Sequence, residues 1–586
     1  MAFQMEWFVR YLRWYLYNVL SHAYAVMTAR FFLILVSLWI GISLPCHAEL
    51  HVLNPPPLLE SLPIQNQGRK KPFLVFANEL LLSISGASSI TVDHTSLTAM
   101  QAVVALWLSP ERWEQIPLLL VRDKALKRAC KLTEDQDVFS FETLRDNPTL
   151  QLQIEKAWAA RARAPGIKNL PDILKAADEV ATRMSLLADL TSGSLIRIVP
   201  SPSGDSAPWS ELAPPDPCLK HLRSAYTSGD AVAFETAITA LKISLLERAP
   251  AYYGAGMFKI RLELLYQTIR PFRLAWILYL LGGLILFSFP SHFSALSYSC
   301  TRVLTVAGLL LQLFGFICRI LIAGRPPVTN MYESIVWFAF GTVLFSLLLG
   351  QIYRTHFFLA GAIPIAAIAL FLADWQPLVL THSIQPLTAV LQSNFRLITH
   401  VLIITLSYAA FAIAMGIGHI ALWKIFFHQS TFQSLCGYIY RVLQMGTFLL
   451  AGGIFLGGIW ANYSWGRFWD WDPKETWALI TLLTYLVLLH GRIAHQWDGL
   501  GLAVGAIICF LSVLMAWYGV NFVLGTGLHS YGFGTGGCAY IALAVGVDIL
   551  FVISAVVRSQ YFRNASRTAG ILTTSHHRTS SCDLVK

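Results

Sequence analysis

The residues best suited to chemistry lie in one short run, Trp465-Gly-Arg-Phe-Trp469-Asp-Trp471-Asp472-Pro-Lys-Glu475, between two long apolar segments. Tryptophan has a wide apolar face with one polar edge, and it favours membrane–water interfaces. A cluster this dense exceeds what an anchoring belt needs, so it suits a platform for a large planar ligand. The alternative is an ordinary aromatic girdle. We expect the carboxylates, Asp472 foremost, to shape the run through hydrogen bonds.

Three histidines are candidate metal ligands near this run. His400 begins an apolar segment, His529 lies within Gly-Leu-His-Ser-Tyr-Gly, and His490 lies near the end of the apolar segment that follows the tryptophans. Neutral imidazole is a common axial ligand of haem iron, and two imidazoles on opposite faces give a six-coordinate iron. We expect His400 and His529 to act in this way, the alternative being boundary histidines bonded to a carbonyl or a headgroup. His490 is a functional candidate if it lies inside the bilayer, and otherwise it is interfacial.

Other possible ligands carry less weight. His419 lies in an apolar segment and is either a packed residue or a second transmembrane ligand, and His382 is a substitute for His400 in the same loop. The nine cysteines are scattered and form no Cys-x-x-Cys pair, which argues against a zinc site, a thioredoxin-like site or a c-type cytochrome in this chain. Cys130 and Cys218 are the pair that an oxidising compartment could join.

The composition defines the setting of these residues. Apolar residues make up 55% of the chain and charged residues 13%, so this is a polytopic membrane protein rather than a soluble globule. The formal net charge is +10. Much of the Lys and Arg lies in short loops or at helix ends, so it indicates topology rather than a nucleic-acid surface, and no nucleic-acid partner is expected.

The chain divides into a soluble-looking part and a membrane part. A short apolar segment at residues 31–44 follows Arg10, Arg13 and Arg30 and precedes Cys46-His-Ala, which resembles a signal-peptidase site. We predict an all-α fold: a polytopic transmembrane helix bundle with a mainly helical extracytoplasmic N-terminal domain. The predicted divisions are a signal peptide or anchor helix (1–48), the extracytoplasmic domain (49–270), the transmembrane domain (271–557) and a cytoplasmic basic tail (558–586).

Hydropathy predicts nine membrane helices after residue 270. They are 274–289, 303–323, 334–353, 357–373, 398–423, 443–460, 476–489, 502–520 and 540–557. With the N-terminal domain outside, the inside loops carry Arg302, Arg354, Lys424, Arg441, Arg492, Arg558, Arg563 and Arg567, whereas the outside loops carry Arg325, Arg396, Arg467 and Lys474. This bias agrees with the positive-inside rule and places the tryptophan run, His400 and His529 outside.

Four separated motifs, in order along the chain, together resemble one family. They are Arg325-Pro-Pro-Val-Thr-Asn-Met-Tyr-Glu-Ser, Ser393-Asn-Phe-Arg-Leu-Ile-Thr-His400 with Ser407-Tyr408 after it, the tryptophan run, and Asn521-Phe with Gly527-Leu-His529-Ser-Tyr-Gly. The tryptophan run is similar to the signature of the haem-handling proteins of cytochrome c biogenesis. The other three resemble segments of the CcsA (ResC) branch of that family. More weakly, residues 62–73 resemble the start of the extra N-terminal domain in some long CcsA-type proteins.

The resemblance implies a membrane subunit of a cytochrome c haem-attachment (synthase) complex in the bacterial inner membrane. Its partners would be a CcsB (ResB)-type membrane protein and an apocytochrome c with a Cys-x-x-Cys-His motif, and haem b would be the bound substrate. By the same resemblance, His400 and His529 are external axial ligands. The external haem platform, which faces the periplasm, comprises Trp465, Trp469, Trp471 and Asp472. His490 is the transmembrane ligand, with a second supplied by the partner. No catalytic cysteine is expected, because the substrate brings the thiols.

Two other functions remain open at this point. One is a haem carrier of the related CcmC or CcmF type, which passes haem to another carrier, and the segments 325–334 and 527–532 favour the synthase over it. The other is a polytopic transporter, which should show internal repeats or interrupted helices around midplane charges. Neither is clear in this sequence. Arg325, Arg467 and Lys474 are candidates for pairing with haem propionates, the alternative being solvated loop charge.

Overall fold

The computed structural model describes most of the chain, with gaps. The described residues are 52–92, 95–163, 170–201, 207–212, 216–250, 252–288, 295–375, 380, 382–385, 395–427, 432–524 and 537–579. The predicted signal peptide or anchor helix (1–48) and His529 lie outside the described residues.

The N-terminal region is built mainly of helices, as predicted. In chain order they are α1 (Pro57–Glu60), α2 (Phe73–Ser85), α3 (Ala99–Leu108), α4 (Lys124–Ala129), α5 (Phe141–Arg145), α6 (Pro148–Arg163), α7 (Asp172–Ser192), α8 (Pro217–Thr227), α9 (Ala231–Arg248) and α10 (Met257–Ile269). Most of their apolar faces share one core, which includes the fully buried Phe73 and Trp107. Cys130 and Cys218 are both free in this region, so the disulfide is not formed.

The all-α prediction is wrong in one respect, because the N-terminal region also contains three two-stranded antiparallel sheets. Their strands pair as β1 (Pro63–Asn66) with β2 (Arg69–Pro72), β3 (Ser89–Val92) with β4 (Thr95–Thr98), and β5 (Pro117–Leu120) with β6 (Val138–Ser140). Gln67 and Gly68 join β1 to β2 with φ of 50° and 75°. Two consecutive residues with positive φ give the tight turn that matches the twist of a hairpin.

Nine helices among the described residues are long and apolar enough to cross a membrane, which agrees with the nine predicted. They are α11 (Pro271–Ser288, continuous with α10 in the first span), α12 (Ala295–Ala323), α13 (Met331–Tyr353), α14 (Phe357–Trp375), α15 (Phe395–Phe426), α16 (Phe432–Trp465), α17 (Pro473–Ile493), α18 (Gly499–Leu514), which continues as a π-helix (Met515–Leu524), and α19 (Cys538–Thr579). The chain is therefore a multi-pass membrane protein.

Alternate crossing by nine spans assigns each loop to one of two sides. The N-terminal region shares a side with residues 324–330, with the tryptophan run and with the segment between the π-helix and α19. One contact agrees with this arrangement: Arg325, in the loop 324–330, donates to the carbonyl of Gln385, which lies between α14 and α15 on the same side. The tryptophan run and the N-terminal region thus lie on the same side of the membrane.

A buried ion pair joins α12 to α13 near this side. Arg319 Nη2 lies 2.6 Å from Glu333 Oε1, and the two side chains are 1% and 2% exposed. Glu333 also accepts hydrogen bonds from the backbone N–H of Thr329 at 2.8 Å and from its hydroxyl at 2.7 Å, and Arg319 donates to the His382 carbonyl at 2.9 Å. The pair therefore fastens the loop 324–330 and residue 382 onto two membrane helices.

We expect Arg319→Leu to lower the free energy of unfolding by about 3–5 kcal/mol, because Glu333 would remain as a buried charge without its main partner. The measurement is the thermal midpoint of the purified protein in detergent. Arg302→Leu, at an exposed position of the same helix, is the matched control and should change stability little. Arg319→Leu combined with Glu333→Leu should recover most of the loss. Equal midpoints for Arg319→Leu and Arg302→Leu would contradict the assigned role.

Candidate functional site

The tryptophan run is the connection between α16 and α17. Helix α16 ends at Trp465, and α17 begins at Pro473 directly after its N-cap residue, Asp472. Gly466 and Trp471 have φ of 73° and 58°, which turn the backbone sharply at both ends of the connection. The backbone of Trp471 is strained in this conformation, since a bulky residue rarely has a positive φ. The strained tryptophan lies in the segment that the sequence singles out for chemistry.

The carboxylates of the run bond to its own backbone, as expected. Asp472 is 6% exposed, and its Oδ1 accepts from the N–H of Lys474 at 2.9 Å, which caps the first turn of α17. Glu475 Oε2 accepts from the N–H of Asp470 at 2.9 Å. These two bonds hold the connection on the N-terminus of α17, where the helix dipole favours negative charge.

The indole rings of the run form two edge-on pairs, one of them with Trp460 of α16. Trp465 packs edge-on against the buried Trp460 at 4.7 Å between ring centroids, and Trp469 packs edge-on against Trp471 at 5.9 Å. Trp471 is 70% exposed. The guanidinium of Arg467 lies 5.9 Å from the Trp465 ring and pairs with Asp470. The run therefore has one exposed tryptophan, Trp471, two half-buried ones, and a cation beside Trp465.

His400 lies where α15 packs against α16. Its Nδ1 is 2.8 Å from the carbonyl oxygen of Gly453. A carbonyl only accepts, so Nδ1 carries the proton of the neutral ring and the lone pair is on Nε2. Metal-binding histidines are commonly oriented by such a bond to a backbone carbonyl. A methyl group on Gly457 would come within 2.6 Å of the ring, so this glycine makes room for the imidazole.

Phe468 connects the tryptophan run to the same stretch of α16. Its ring lies over Gly458, where any side chain would collide with it, and it packs against Phe455 at 6.1 Å between centroids. Gly457 and Gly458 are neighbours, so one receives His400 and the next receives Phe468. The structure thereby brings His400 and the tryptophan run to one end of α16.

His490 lies at the other end of the membrane. It is exposed, it sits in the last turn of α17, and its Nδ1 is 2.7 Å from the Leu486 carbonyl. At about 1.5 Å per residue, it is about 25 Å along the helix from Pro473. His490 is therefore not part of the surface formed by the tryptophan run. Its lone pair, like that of His400, falls on Nε2.

The remaining histidine candidates are engaged elsewhere or lie outside the described residues. Both ring nitrogens of His419 are bonded, Nδ1 to the Met415 carbonyl at 2.9 Å and Nε2 to Asp548 at 2.6 Å, which matches the packed reading of this residue. The His382 ring packs edge-on against Tyr332 at 6.3 Å. No group of three His, Cys, Asp or Glu side chains that could hold a metal ion occurs among the described residues.

The three basic residues considered as partners of haem propionates, Arg325, Arg467 and Lys474, all lie among the described residues. Arg325 bonds to Thr329 and to the Gln385 carbonyl, and burial lowers the pKa of its guanidinium, opposed by Glu333 and reinforced by Arg319 and Arg69. It is therefore part of the loop structure. Lys474 is half-buried in the first turn of α17. Arg467 is the one of the three that lies among the tryptophans.

Sequence reasoning missed the glycines that make the site possible. Gly452-Gly453 and Gly457-Gly458 form two pairs in the apolar segment before the tryptophan run. Small residues at such spacing are a signal for close helix packing in membranes. This spacing is a sequence signal for a close helix–helix contact at these glycines. It does not identify His400 as the residue whose ring packs there.

Residues 328–529 match the family model described as Cytochrome C assembly protein. The chain is 31% identical over 501 residues to Protein NrfI of Wolinella succinogenes, in an alignment that covers 79% of this chain and 53% of that protein. The chain thus spans about half the length of NrfI. Because the nine spans and the tail make up only about half of the chain, this alignment extends into the N-terminal region.

Shorter relatives are covered over most of their length. The chain is 37% identical over 239 residues to cytochrome c biogenesis protein CcsA of Guillardia theta (36% of this chain, 78% of that one) and 33% identical over 306 residues to CcsA of Prochlorococcus marinus strain AS9601 (46% and 96%). A solved structure of cytochrome c heme lyase CcmF aligns with 50% of each chain at 15% identity and a TM-score of 0.37, which is too slight a likeness to carry an argument. The chain belongs to the cytochrome c assembly protein family.

Proposed function

We propose that this chain is the membrane subunit of a cytochrome c haem-attachment complex, and that it presents haem b, its bound substrate, at the tryptophan run. The observation that carries the proposal is the placement of His400 beside that run, with Nδ1 bonded to a carbonyl and the lone pair on Nε2. His529 would be the second axial ligand, from the loop that follows the π-helix. The activity is proposed for a complex, not for the chain alone.

The chemistry of the platform suits haem. Haem is flat and largely apolar, and covering it removes apolar area from water at about 25 cal/mol per Å². The aromatic surface consists of Trp465, Trp469 and Trp471. Asp472 stabilises the segment that carries them, because it caps the N-terminus of α17. The capping bond directs the Asp472 carboxylate into the protein and away from the anionic propionates. Arg467, beside Trp465, is the candidate partner for a propionate.

The chain's contribution to attachment is positioning. Haem supplies vinyl groups that accept thiols, and the substrate's Cys-x-x-Cys-His peptide supplies the thiols. Two histidines that hold the iron would fix the ring relative to the peptide, and such positioning can contribute about 7–11 kcal/mol to a barrier in favourable cases. No thiol of this chain is required, which is consistent with the lack of a Cys-x-x-Cys pair in the sequence.

His490 would mark a separate site at the opposite boundary. It is exposed on α17, so a histidine of a second membrane protein can approach it. We propose that a CcsB-type partner supplies that histidine, and that haem is held there before it reaches the external platform. The division into an N-terminal extracytoplasmic domain (49–270), a transmembrane domain (271–557) and a cytoplasmic tail (558–586) is part of the same proposal, as is location in the bacterial inner membrane.

The tryptophan run should face the extracytoplasmic side, since the Lys and Arg bias favours that orientation. Ser464 is exposed at the end of α16, and Gln496 is exposed at the far end of α17. In intact cells a membrane-impermeant thiol reagent should label Ser464→Cys above the level of the parent protein. Gln496→Cys, the matched control, should gain label only after permeabilisation. The reverse pattern would refute the orientation.

Single replacement of His400 or His529 by Ala should convert six-coordinate haem to five-coordinate haem, or lower the haem content of the purified chain several-fold. The physical reason is that each substitution removes one axial nitrogen. Absorption spectra of oxidised and reduced protein measure the change. His221→Ala, at an exposed position of α8, is the control and should leave the spectrum unchanged. If both single variants keep the wild-type spectrum, the two histidines are not the ligands.

Covalent attachment should require a CcsB-type partner, because His490 is one ligand of a site that needs two. The test is to express the chain with an apocytochrome c in cells that lack other assembly systems, with and without the partner. We expect covalent haem on the cytochrome only when the partner is present. Product without a partner would identify the chain as a complete synthase. Haem bound to the chain with no product in either case would favour the carrier function of the CcmC or CcmF type.

A further inference from the structure

Helix α17 ends in a sharp backbone reversal just after His490. His495 has φ of 57°, and its N–H donates to the Arg492 carbonyl at 3.2 Å. The N–H of Gln496 donates to the Gly491 carbonyl at 2.9 Å. These are the two bonds of a Schellman motif, which ends a helix with one residue in the left-handed conformation. The chain that follows is therefore turned back toward the last turn of α17.

The indole of the next residue, Trp497, lies between α17 and α18 at two glycines. A methyl group on Gly491 would collide with Nε1 and Cδ1 of the ring, and one on Gly501 would come 3.2 Å from Cε3. Gly491 is buried, whereas its neighbour His490 is exposed. The two glycines thus admit the ring beside the helical turn that carries His490.

Hydrogen bonds fix the main chain at Trp497. Its N–H donates to the Gly491 carbonyl at 3.2 Å, and its carbonyl accepts from Arg492 Nη1 at 3.2 Å. The next residue, Asp498, is the N-cap of α18, and its Oδ1 accepts from the Gly501 N–H at 2.7 Å. The short connection 494–498 is therefore bonded to both helices, and the position of the indole is set independently of any ligand.

The exposed side of this turn is a small apolar patch with an imidazole at one edge. Val487 is 64% exposed, Ala494 is exposed, and Trp497 is 40% exposed. Residues three and four positions apart are neighbours on a helix surface, so His490 adjoins both Val487 and Ala494. Gly491 adjoins the same two residues. Because the indole covers Gly491, the imidazole and the indole border the same patch from two sides.

The orientation of the indole argues against a simple membrane anchor. An interfacial tryptophan keeps its apolar body in lipid and its N–H edge toward water. Here the Nε1 edge is turned toward Gly491 of α17, so the part of the ring that stays exposed is mainly apolar carbon. A flat apolar ligand can cover that edge together with the patch. The imidazole of His490, with Nδ1 bonded to a carbonyl and the lone pair on Nε2, suits a ligand that contains a metal ion.

We propose that Trp497 is a haem-binding residue of the inner site, the exposed patch bordered by His490 and Trp497, and that its indole packs against a haem ligated by His490. The inference rests on the proposed function of His490. Gly491 and Arg492 are positioning residues in this scheme, because the first makes room for the ring and the second bonds to its main chain. The inner site would combine an imidazole with an indole, the same two groups that meet at the tryptophan run on the opposite side.

The test measures haem binding at the inner site separately from the outer one. The full chain carries His400→Ala and His529→Ala, which remove the proposed outer ligands, and haem is titrated into the purified protein in detergent. The change in Soret absorbance gives the Kd. In this background His490→Ala should raise the Kd more than about tenfold, because it removes the axial nitrogen.

Two variants remove the indole from the patch in different ways. Trp497→Ala deletes it, and Gly491→Ala displaces it while the tryptophan remains. We expect each to raise the Kd about tenfold, the factor that corresponds to about 1.4 kcal/mol of lost aromatic contact. Trp497→Phe, which keeps a ring, should recover part of the loss.

The matched controls are a tryptophan and a glycine at the same end of the bundle. Trp423 is 52% exposed near the end of α15, and Gly437 of α16 is exposed, with nothing within 4 Å of an added methyl group. Trp423→Ala and Gly437→Ala should keep the parent Kd. Thermal midpoints of all haem-free variants are measured beside the titrations.

Several results would overturn the inference. If Trp497→Ala binds haem with the parent Kd, the residue is an interfacial anchor. An equal rise in Trp423→Ala would show a general effect of losing a tryptophan at this boundary. If the Kd rises only in variants whose haem-free midpoint has fallen, Trp497 acts through folding alone.

Two outcomes separate this inference from the proposed function. If His490→Ala weakens haem binding while Trp497→Ala and Gly491→Ala do not, the proposed function of His490 stands and the role of Trp497 is wrong. If His490→Ala leaves the Kd unchanged, the inner site of the proposed function fails and the role of Trp497 fails with it.

Discussion

The approach of α15 to α16 at a row of glycines is the contact on which the candidate site depends. Lipid tails are as apolar as leucine, so membrane helices associate through close packing rather than through the hydrophobic effect. At Gly453, Gly457 and Gly458 the backbone of α16 comes close enough to bond His400, to admit its ring and to seat Phe468. A single larger residue at Gly457 would displace the imidazole. The positions of His400 and Phe468 therefore depend on the three glycines of α16.

The polar groups inside the bundle follow from the same environment. Inside a membrane an unpaired polar group has no water to bond, so the buried charges are paired and further hydrogen-bonded. Arg319 and Glu333 illustrate this, because both ends of the carboxylate have partners and the arginine also reaches a loop carbonyl. The segment 325–334 resembles a motif of haem-handling proteins, and its Thr329 and Glu333 are part of this buried network.

The sequence predicted the nine spans, because hydropathy is a local signal. It placed helix ends poorly: α12 begins at Ala295 rather than 303, and α16 begins at Phe432 rather than 443, since polar turns extend these helices beyond the apolar window. It missed the paired strands, which have only three or four residues each and are too short to show alternation. The π-helix is also invisible to hydropathy, because residues 515–524 continue the apolar character of the α-helix before them. Ligation by His400 and His529 remains a prediction.

The bond between His419 and Asp548 has a consequence for the order of biosynthesis. It joins α15 to α19 through two residues that are 129 positions apart in the chain, and α19 is the least buried of the nine spans among the described residues. The ribosome completes α19 last. Until then, the imidazole of His419 stands in the membrane without its carboxylate, and a chain that stopped after the eighth span would keep this polar defect. Insertion of α19 removes it, so the ninth span supplies the partner of a polar group that the fifth span already carries.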